Sequence, residues 1–164
     1  MKILYVTDLD GTLLNSKDEL SEYTVKIINN LIENGMCFSY ATARSLTSAS
    51  VVTKGLKTDI PVIIYNGTFI VNAYTKEKLF SLYYSEEEKN KVIDYLGKHS
   101  IYPLVYGFVD GVEKVSWIKY KENHGIKNYL DKRKGDPRLR PVEKIMTYIV
   151  GNFFILPVLE KRRI

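Results

Sequence analysis

With one cysteine, Cys37, in 164 residues, the chain cannot form an internal disulfide, and a reducing compartment such as the cytoplasm is expected. Its apolar runs are only a few residues long, which excludes the ~20-residue apolar helix that crosses a bilayer. An h-region with a small-residue cleavage site is lacking too, so no signal peptide is read. Repeats and low-complexity tracts are missing, which argues against a solenoid or a fibre. The two histidines, His99 and His124, have no neighbours of metal-ligand type and are expected at or near the surface.

Charge of one sign is not concentrated either. The net charge is +5, but the densest basic stretches, "KYKENHGIKNYLDKRKGD" and "EKRR", match no nucleic-acid-binding motif. They read as a solvated Lys-rich surface, so no nucleic-acid partner is expected. A mildly positive field suits small anionic ligands.

What is present is the composition of a soluble globular protein, 45% hydrophobic and 26% charged, long enough for one substantial core or two small ones. "ILYV" (Ile3 to Val6) reads as a strand buried on both faces, as in a parallel sheet. "SEYTVKIINNLIENG" reads as a helix, with Ser21 as N-cap, a Val25, Ile28, Leu31 and Ile32 stripe, and Gly35 just past its end. A strand from Met36 to Ala41, a weaker helix in "SLTSASVVTKGL", the strand "PVIIY" and an Asn66-Gly67 turn into "TFIVN" follow. This β-α-β-α-β order predicts a doubly wound α/β fold with a parallel sheet.

The character changes near Leu79 to Tyr84. "SEEEKNKVIDYLGKHS" opens with a capping box, Ser85 and Glu88, and is expected to run to Leu96 before Gly97. "IYPLVYGFV" and "EKVSWIKYK" flank Asp110-Gly111, a strong hairpin signal. A short helix around Gly125 to Lys132, "GDPRLRP" as a loop and two further apolar segments complete an α+β pattern. Two domains are expected, 1–81 and 82–164. Trp117 and the many tyrosines read most simply as core of the second.

The chemistry concentrates at the end of the first strand, in "VTDLDGTLL". Open α/β sheets place ligands in the crevice beyond the strand ends. Two neighbouring carboxylates, Asp8 and Asp10, repel unless a cation or a shared proton relieves them. Mg²⁺ takes such a site, with one or two carboxylates, waters and phosphate oxygens. Asp8 could then attack phosphorus and Asp10 serve as acid and base, with Gly11 letting the backbone approach a phosphate and Thr12 bonding a carboxylate. The bland alternative is a solvated Asp-Gly turn capped by Asp10.

"VTDLDGTLL" resembles the first motif of the haloacid dehalogenase (HAD) superfamily, in which the first Asp is nucleophile and the second acid/base. "YATARS" resembles the second motif, supplying Thr42 to hold a phosphoryl oxygen. The x-Arg after it, Arg44, and the Asn66-Gly67 of "IIYNGTFI" match the Cof-like, type IIB branch with an α+β cap. Without the family match, Thr42 is a helix cap, Arg44 pairs with a surface carboxylate or a substrate phosphate, and Asn66-Gly67 is a type I′ hairpin turn.

The resemblance implies half of a HAD-like Rossmannoid core with an inserted α+β cap, Mg²⁺ on the Asp8 carboxylate and the Asp10 carbonyl, and hydrolysis of small phosphorylated metabolites such as sugar phosphates. Asn66, Gly67 and Arg44 would join Thr42 in binding substrate. The family's Lys and its G-D-x-x-N-D motif are not found, since "GDPRLRP" reads as a turn decoy. The chain is therefore expected to be a truncated form with an incomplete cap and impaired turnover. The first strand is then expected at an exposed sheet edge that favours homo-oligomers. The alternative is a catalytically inactive phosphate-binding or interaction protein.

Overall fold

The computed structural model describes residues 3–144, 147 and 151–155, and the chain divides into two compact units between Leu82 and Tyr83. The first holds strands β1 (Leu4–Asp8), β2 (Cys37–Ala41), β3 (Val62–Ile64), β4 (Phe69–Val71) and β5 (Lys78–Ser81), with helices α1 (Glu22–Glu33) and α2 (Leu46–Val52). They form one sheet in the order β1-β2-β3-β4-β5. The pairs β1–β2 and β2–β3 are parallel, and β3–β4 and β4–β5 antiparallel. The parallel part requires crossovers, and α1 and α2 supply them.

Local chemistry sets these boundaries. The Ser21 hydroxyl accepts the Thr24 N–H at 3.0 Å to open α1, and Ser45 does the same for Ser48 at 3.2 Å to open α2. Both satisfy backbone donors that the first turn leaves unpaired. Leu9, Phe38, Tyr40, Ala49, Val62, Ile64 and Phe69 make the buried interior.

Two expectations fail in this unit. Ile3 to Val6 are not buried on both faces: they are 48–59% exposed, because among the described residues β1 pairs only with β2 and lies at the sheet edge. In α1 only Ile28 of the expected stripe is fully buried, and Leu31 is 47% exposed beside Tyr23 and Ile27.

The second unit holds α3 (Glu86–Lys98), β6 (Val105–Val109), β7 (Val112–Ile118), α4 (His124–Asp131), β8 (Leu139–Val142) and β9 (Asn152–Ile155). Its sheet runs β8-β7-β6-β9, parallel only between β7 and β8. Ile93 of α3 packs with Val105, Ile118, Val142 and Phe153, while Ile126 of α4 packs with Leu104 and Val115. Strand alternation puts these clusters on opposite faces, each under a helix. The capping box forms, Ser85 Oγ accepting from Glu88 N–H and Glu88 accepting from Ser85 N–H. Val109 pairs with Val112 around Asp110-Gly111, both at positive φ, as a type I′ hairpin needs.

Gly97 lies inside α3 rather than beyond it, and His99 caps the helix end. Leu139 to Pro141, expected as the end of a loop, belong to β8 with Val142. Pro141 is tolerated there because β8 is an edge strand. No helix among the described residues is long and apolar enough to cross a membrane.

Candidate active site

The motif residues converge where three parallel strands end. Asp8 stands opposite Ala41, and Ala41 opposite Ile63, so the last residues of β1 and β2 lie level with the middle residue of β3. An open cleft of about 420 Å³ lies there, lined by Asp8, Ala41, Thr42, Ala43, Ile63, Asn66 and Gly67.

The turn after Asp8 explains "DLDGT". Asp10 at φ −73°, ψ 123° and Gly11 at φ 72°, ψ 2° are the central residues of a type II turn, whose third residue needs positive φ and hence glycine. A Cβ on Gly11 would meet nothing within 4 Å, so Gly11 serves backbone conformation rather than close approach to protein atoms. The Leu14 N–H reaches back to the Leu9 carbonyl at 2.9 Å and closes the loop. One Asp8 carboxylate oxygen accepts the Leu9 N–H at 2.7 Å, which holds the side chain at the strand end.

Asp10 is the carboxylate that Arg44 pairs with, one of the two partners expected for that arginine, though the sequence did not say which carboxylate. The Arg44 guanidinium grips its carboxylate in a fork, Nη2 to Oδ1 at 2.6 Å and Nε to Oδ2 at 2.9 Å. Arg44 Nη1 also donates to Ser48 Oγ at 3.3 Å. These hydrogen bonds hold the Asp10 carboxyl below its ordinary range, against a smaller opposing effect of partial burial. No periodicity links residues 34 apart in sequence. Only the parallel strand order, which sets the ends of β1 and β2 side by side, pointed to this pair.

Thr42 is buried, and its Oγ1 accepts the Arg44 N–H at 3.1 Å. Its main chain is locked to the next strand: Thr42 N–H donates to Ile63 at 2.9 Å, and Asn66 N–H to Thr42 at 3.0 Å. Tyr65 N–H donates to the Arg44 carbonyl at 3.1 Å, which ties the Asn66-Gly67 loop to the arginine that holds Asp10. Asn66 (φ 56°, ψ 35°) and Gly67 (φ 93°) have type I′ signs. However, Tyr65 is also at positive φ, so the ladder stops at Ile64–Phe69 and leaves a four-residue loop.

Among the described residues, no three His, Cys, Asp or Glu side chains gather as a metal cluster. The ligands that the family resemblance implies for a cation here are the Asp8 carboxylate and the Asp10 main-chain carbonyl. That sparse oxygen set fits Mg²⁺, which keeps several waters and takes substrate oxygens.

A family model described as haloacid dehalogenase-like hydrolase matches residues 5–152. The chain belongs to the haloacid dehalogenase-like hydrolases. It is similar to 5-amino-6-(5-phospho-D-ribitylamino)uracil phosphatase YwtE of Bacillus subtilis, 34% identical over 100 residues, which are 60% of this chain and 34% of that one. Among solved structures it resembles TM0651 from Thermotoga maritima, at 24% identity and a TM-score of 0.66, over 93% of this chain and 54% of the other. A HAD subclass IIB sugar phosphatase, BT4131, matches at 17% identity and a TM-score of 0.66, over 93% of this chain and 56% of the other. The chain therefore spans about half the length of these solved relatives.

Proposed function

We propose that this HAD-like chain is built for Mg²⁺-dependent hydrolysis of small phosphorylated metabolites, sugar phosphates among them. The observation that carries this reading is the single cleft at the ends of β1, β2 and β3, where Asp8 and the buried Thr42 meet with Asn66 and Gly67. A phosphorylated ribityl substrate in the name of a Bacillus subtilis relative is of the same chemical class.

An Asp8 carboxylate oxygen attacks phosphorus, the P–O bond to the leaving group breaks, and an aspartyl-phosphate forms. Asp10 gives its proton to the leaving oxygen. It then takes a proton from the water that attacks the same phosphorus, which releases phosphate and frees Asp8. The Thr42 hydroxyl, whose oxygen is fixed by the Arg44 N–H, donates its proton to a phosphoryl oxygen. A bound Mg²⁺ supplies charge compensation for the phosphoryl group. Because Arg44 favours the ionised form of Asp10, proton donation requires the guanidinium to let go. An anionic substrate offers it another partner.

The second reading, a phosphate-binding protein without turnover, is favoured by the Asp10–Arg44 fork, which engages the carboxylate that would act as acid and base. Phosphomonoester hydrolysis with and without Mg²⁺, on wild type and Asp8→Asn, separates the two. Asp8→Asn is expected to lower turnover by on the order of 10³-fold or more, as loss of a nucleophile does. Turnover unchanged in the variant removes Asp8 as nucleophile. No turnover in wild type, with Mg²⁺-dependent beryllofluoride binding retained, selects the second reading.

A further inference from the structure

A second cleft, of about 220 Å³, opens in the first unit and shares no lining residue with the catalytic one. Its walls come from three places: Tyr40 on β2, Ser50 on α2 with the segment from Thr53 to Thr58 after it, and Ala73 and Tyr74 beyond β4. Because β4 runs antiparallel to β3 with Val71 opposite Val62, Ala73 and Tyr74 lie toward the start of β3. The catalytic cleft lies at its other end. The polar part of the lining presents acceptors. Ser50 Oγ donates to the Leu46 carbonyl at 2.8 Å, Thr53 Oγ1 to the Ala49 carbonyl at 2.9 Å, and Thr58 Oγ1 to the Phe38 carbonyl. A hydroxyl has one proton and two lone pairs, so with each proton given to the backbone these oxygens have lone pairs to present. The exposed Lys54 adds one cation. The remaining lining is apolar, Leu56 and Ala73 with the ring of Tyr74, which is 91% exposed. That ring stands on a tightly bonded turn. Asn72 Oδ1 accepts the N–H groups of Tyr74 and Thr75 at 2.9 Å each, Asn72 N–H donates to the Glu77 carbonyl at 2.9 Å, and Lys76 N–H donates to the Asn72 carbonyl at 2.8 Å. A fixed turn thus holds an aromatic ring in water beside the cleft.

We propose that this cleft is a second binding site, separate from the catalytic one, for the ring of a phosphorylated sugar. Each part of the lining has a counterpart in that ligand. Sugar hydroxyls donate, and match the lone pairs of Ser50, Thr53 and Thr58. The C–H face of the ring covers the Tyr74 ring, and an aromatic side chain supplies such a contact at low entropic cost. The Lys54 ammonium meets the phosphate as a point charge. Size limits the choice. Drug-sized ligands occupy about 300–1,000 Å³, so a cleft of about 220 Å³ takes a single ring and not a nucleotide. Inorganic phosphate alone is a poor match, because its oxygens accept as the hydroxyl oxygens of the cleft do, and it leaves the Tyr74 ring uncovered. The inference rests on the lining of this cleft and does not depend on the hydrolysis proposed at Asp8.

The full chain, free of Mg²⁺, is titrated with glucose 6-phosphate and followed through its amide NMR signals. Saturable shifts are expected at Gly55, Leu56, Ala73 and Tyr74, with a Kd of about 1 mM or tighter, resolved from those at Thr42 and Gly67 of the catalytic cleft. Tyr74→Ala is expected to weaken this binding at least about tenfold. Lys54→Met is expected to weaken glucose 6-phosphate about two- to fivefold and leave glucose unchanged, which assigns the ammonium to the phosphate. Both side chains are exposed, so neither variant threatens folding, and thermal melts check this. Phosphomonoester hydrolysis is assayed apart, and its absence bears on the Asp8 chemistry while leaving this test intact. No saturable shift at those four amides overturns the proposal. So do shifts that inorganic phosphate alone reproduces, tighter binding of adenosine than of glucose 6-phosphate, or binding that Tyr74→Ala leaves unchanged.

Discussion

In the second unit both faces of the sheet meet a helix, Ile93 on one side and Ile126 on the other. In the first, Ile3 and the opening three residues of β1 are apolar and all about half exposed. Yet the first unit carries the residues that resemble the family's motifs, and the second carries most of the aromatic packing, with Phe154 within 5.6–6.5 Å of Tyr83, Tyr106 and Phe108. Legible chemistry and a closed core have separated in this chain. Catalytic motifs depend on a few side chains at strand ends, whereas closure depends on what covers the faces behind them.

The sharpest break in that comparison is a pair of substitutions, one in each unit. Asp8→Asn should remove turnover and leave the melting temperature within about a degree, because an exposed strand-end side chain contributes little to folding. Phe153→Ala should do the reverse to stability. Phe153 is 1% exposed and packs on Ile93, Val105 and Val142, so its truncation should cost about 3–5 kcal/mol. Thermal melts and amide exchange across β6 and β7 measure it. A loss below about 1 kcal/mol would mean that the second unit's core is not the closed cluster described.

The glycines sharpen the contrast at smaller cost. A Cβ at Gly107 would sit 2.9 Å from Phe153 Cβ and 3.1 Å from the Asn152 carbonyl, so β6 and β9 must separate. Gly107→Ala should destabilise by about 1–3 kcal/mol through overpacking. Gly11 is the opposite case, with open space but φ of +72°. Gly11→Ala should cost about 1–2 kcal/mol of local strain and appear mainly as lost phosphate or substrate binding, because the turn it distorts carries Asp10. Denaturant melts of the two variants, with ligand binding measured beside them, separate the mechanisms. Equal effects on both readouts would refute the distinction.

How much of this was legible follows the same line. The Asp-Gly turns, the Ser85 capping box and the β-α-β-α-β order are local signals, and each appears in the fold. So do the strand-end positions of Asp8 and Thr42. Which carboxylate Arg44 would hold was not legible, because it depends on two strands lying side by side. Strand β8 was masked by Pro141 and Arg140, which an edge strand accepts and a central one does not. Strand β5 was masked by Lys78 and a bulge. Exposure of Ile3 to Val6 was expected for a strand at an open edge but not from the run itself, since an apolar run states what a strand is suited to touch and not what is there.

The smallest prediction compares the two arginine forks. Arg138 holds Asp136 with Nε at 3.0 Å and Nη2 at 2.7 Å, as Arg44 holds Asp10, but Arg138 also reaches Glu113 at 2.8 Å. The Arg138 hydrogen bonds keep the Asp136 carboxyl below its ordinary range, with partial burial opposing them. A depressed native pKa adds stability above the unfolded carboxylate's pKa, and this is lost as pH falls through the native value. Asp136→Asn should therefore cost about 1 kcal/mol near neutral pH, the scale of a well-formed, partly exposed fork. The remaining Glu113 contact keeps the arginine from being stranded. The gap between variant and wild type should begin to close below about pH 4, where the unfolded chain's carboxyl takes up its proton, and vanish as pH falls through the lower native value. Thermal melts of both proteins from neutral to acid pH measure it. A gap that persists unchanged in acid would assign the loss to the turn geometry of Asp136, whose carboxylate also accepts the Arg138 N–H at 2.9 Å, rather than to its charge.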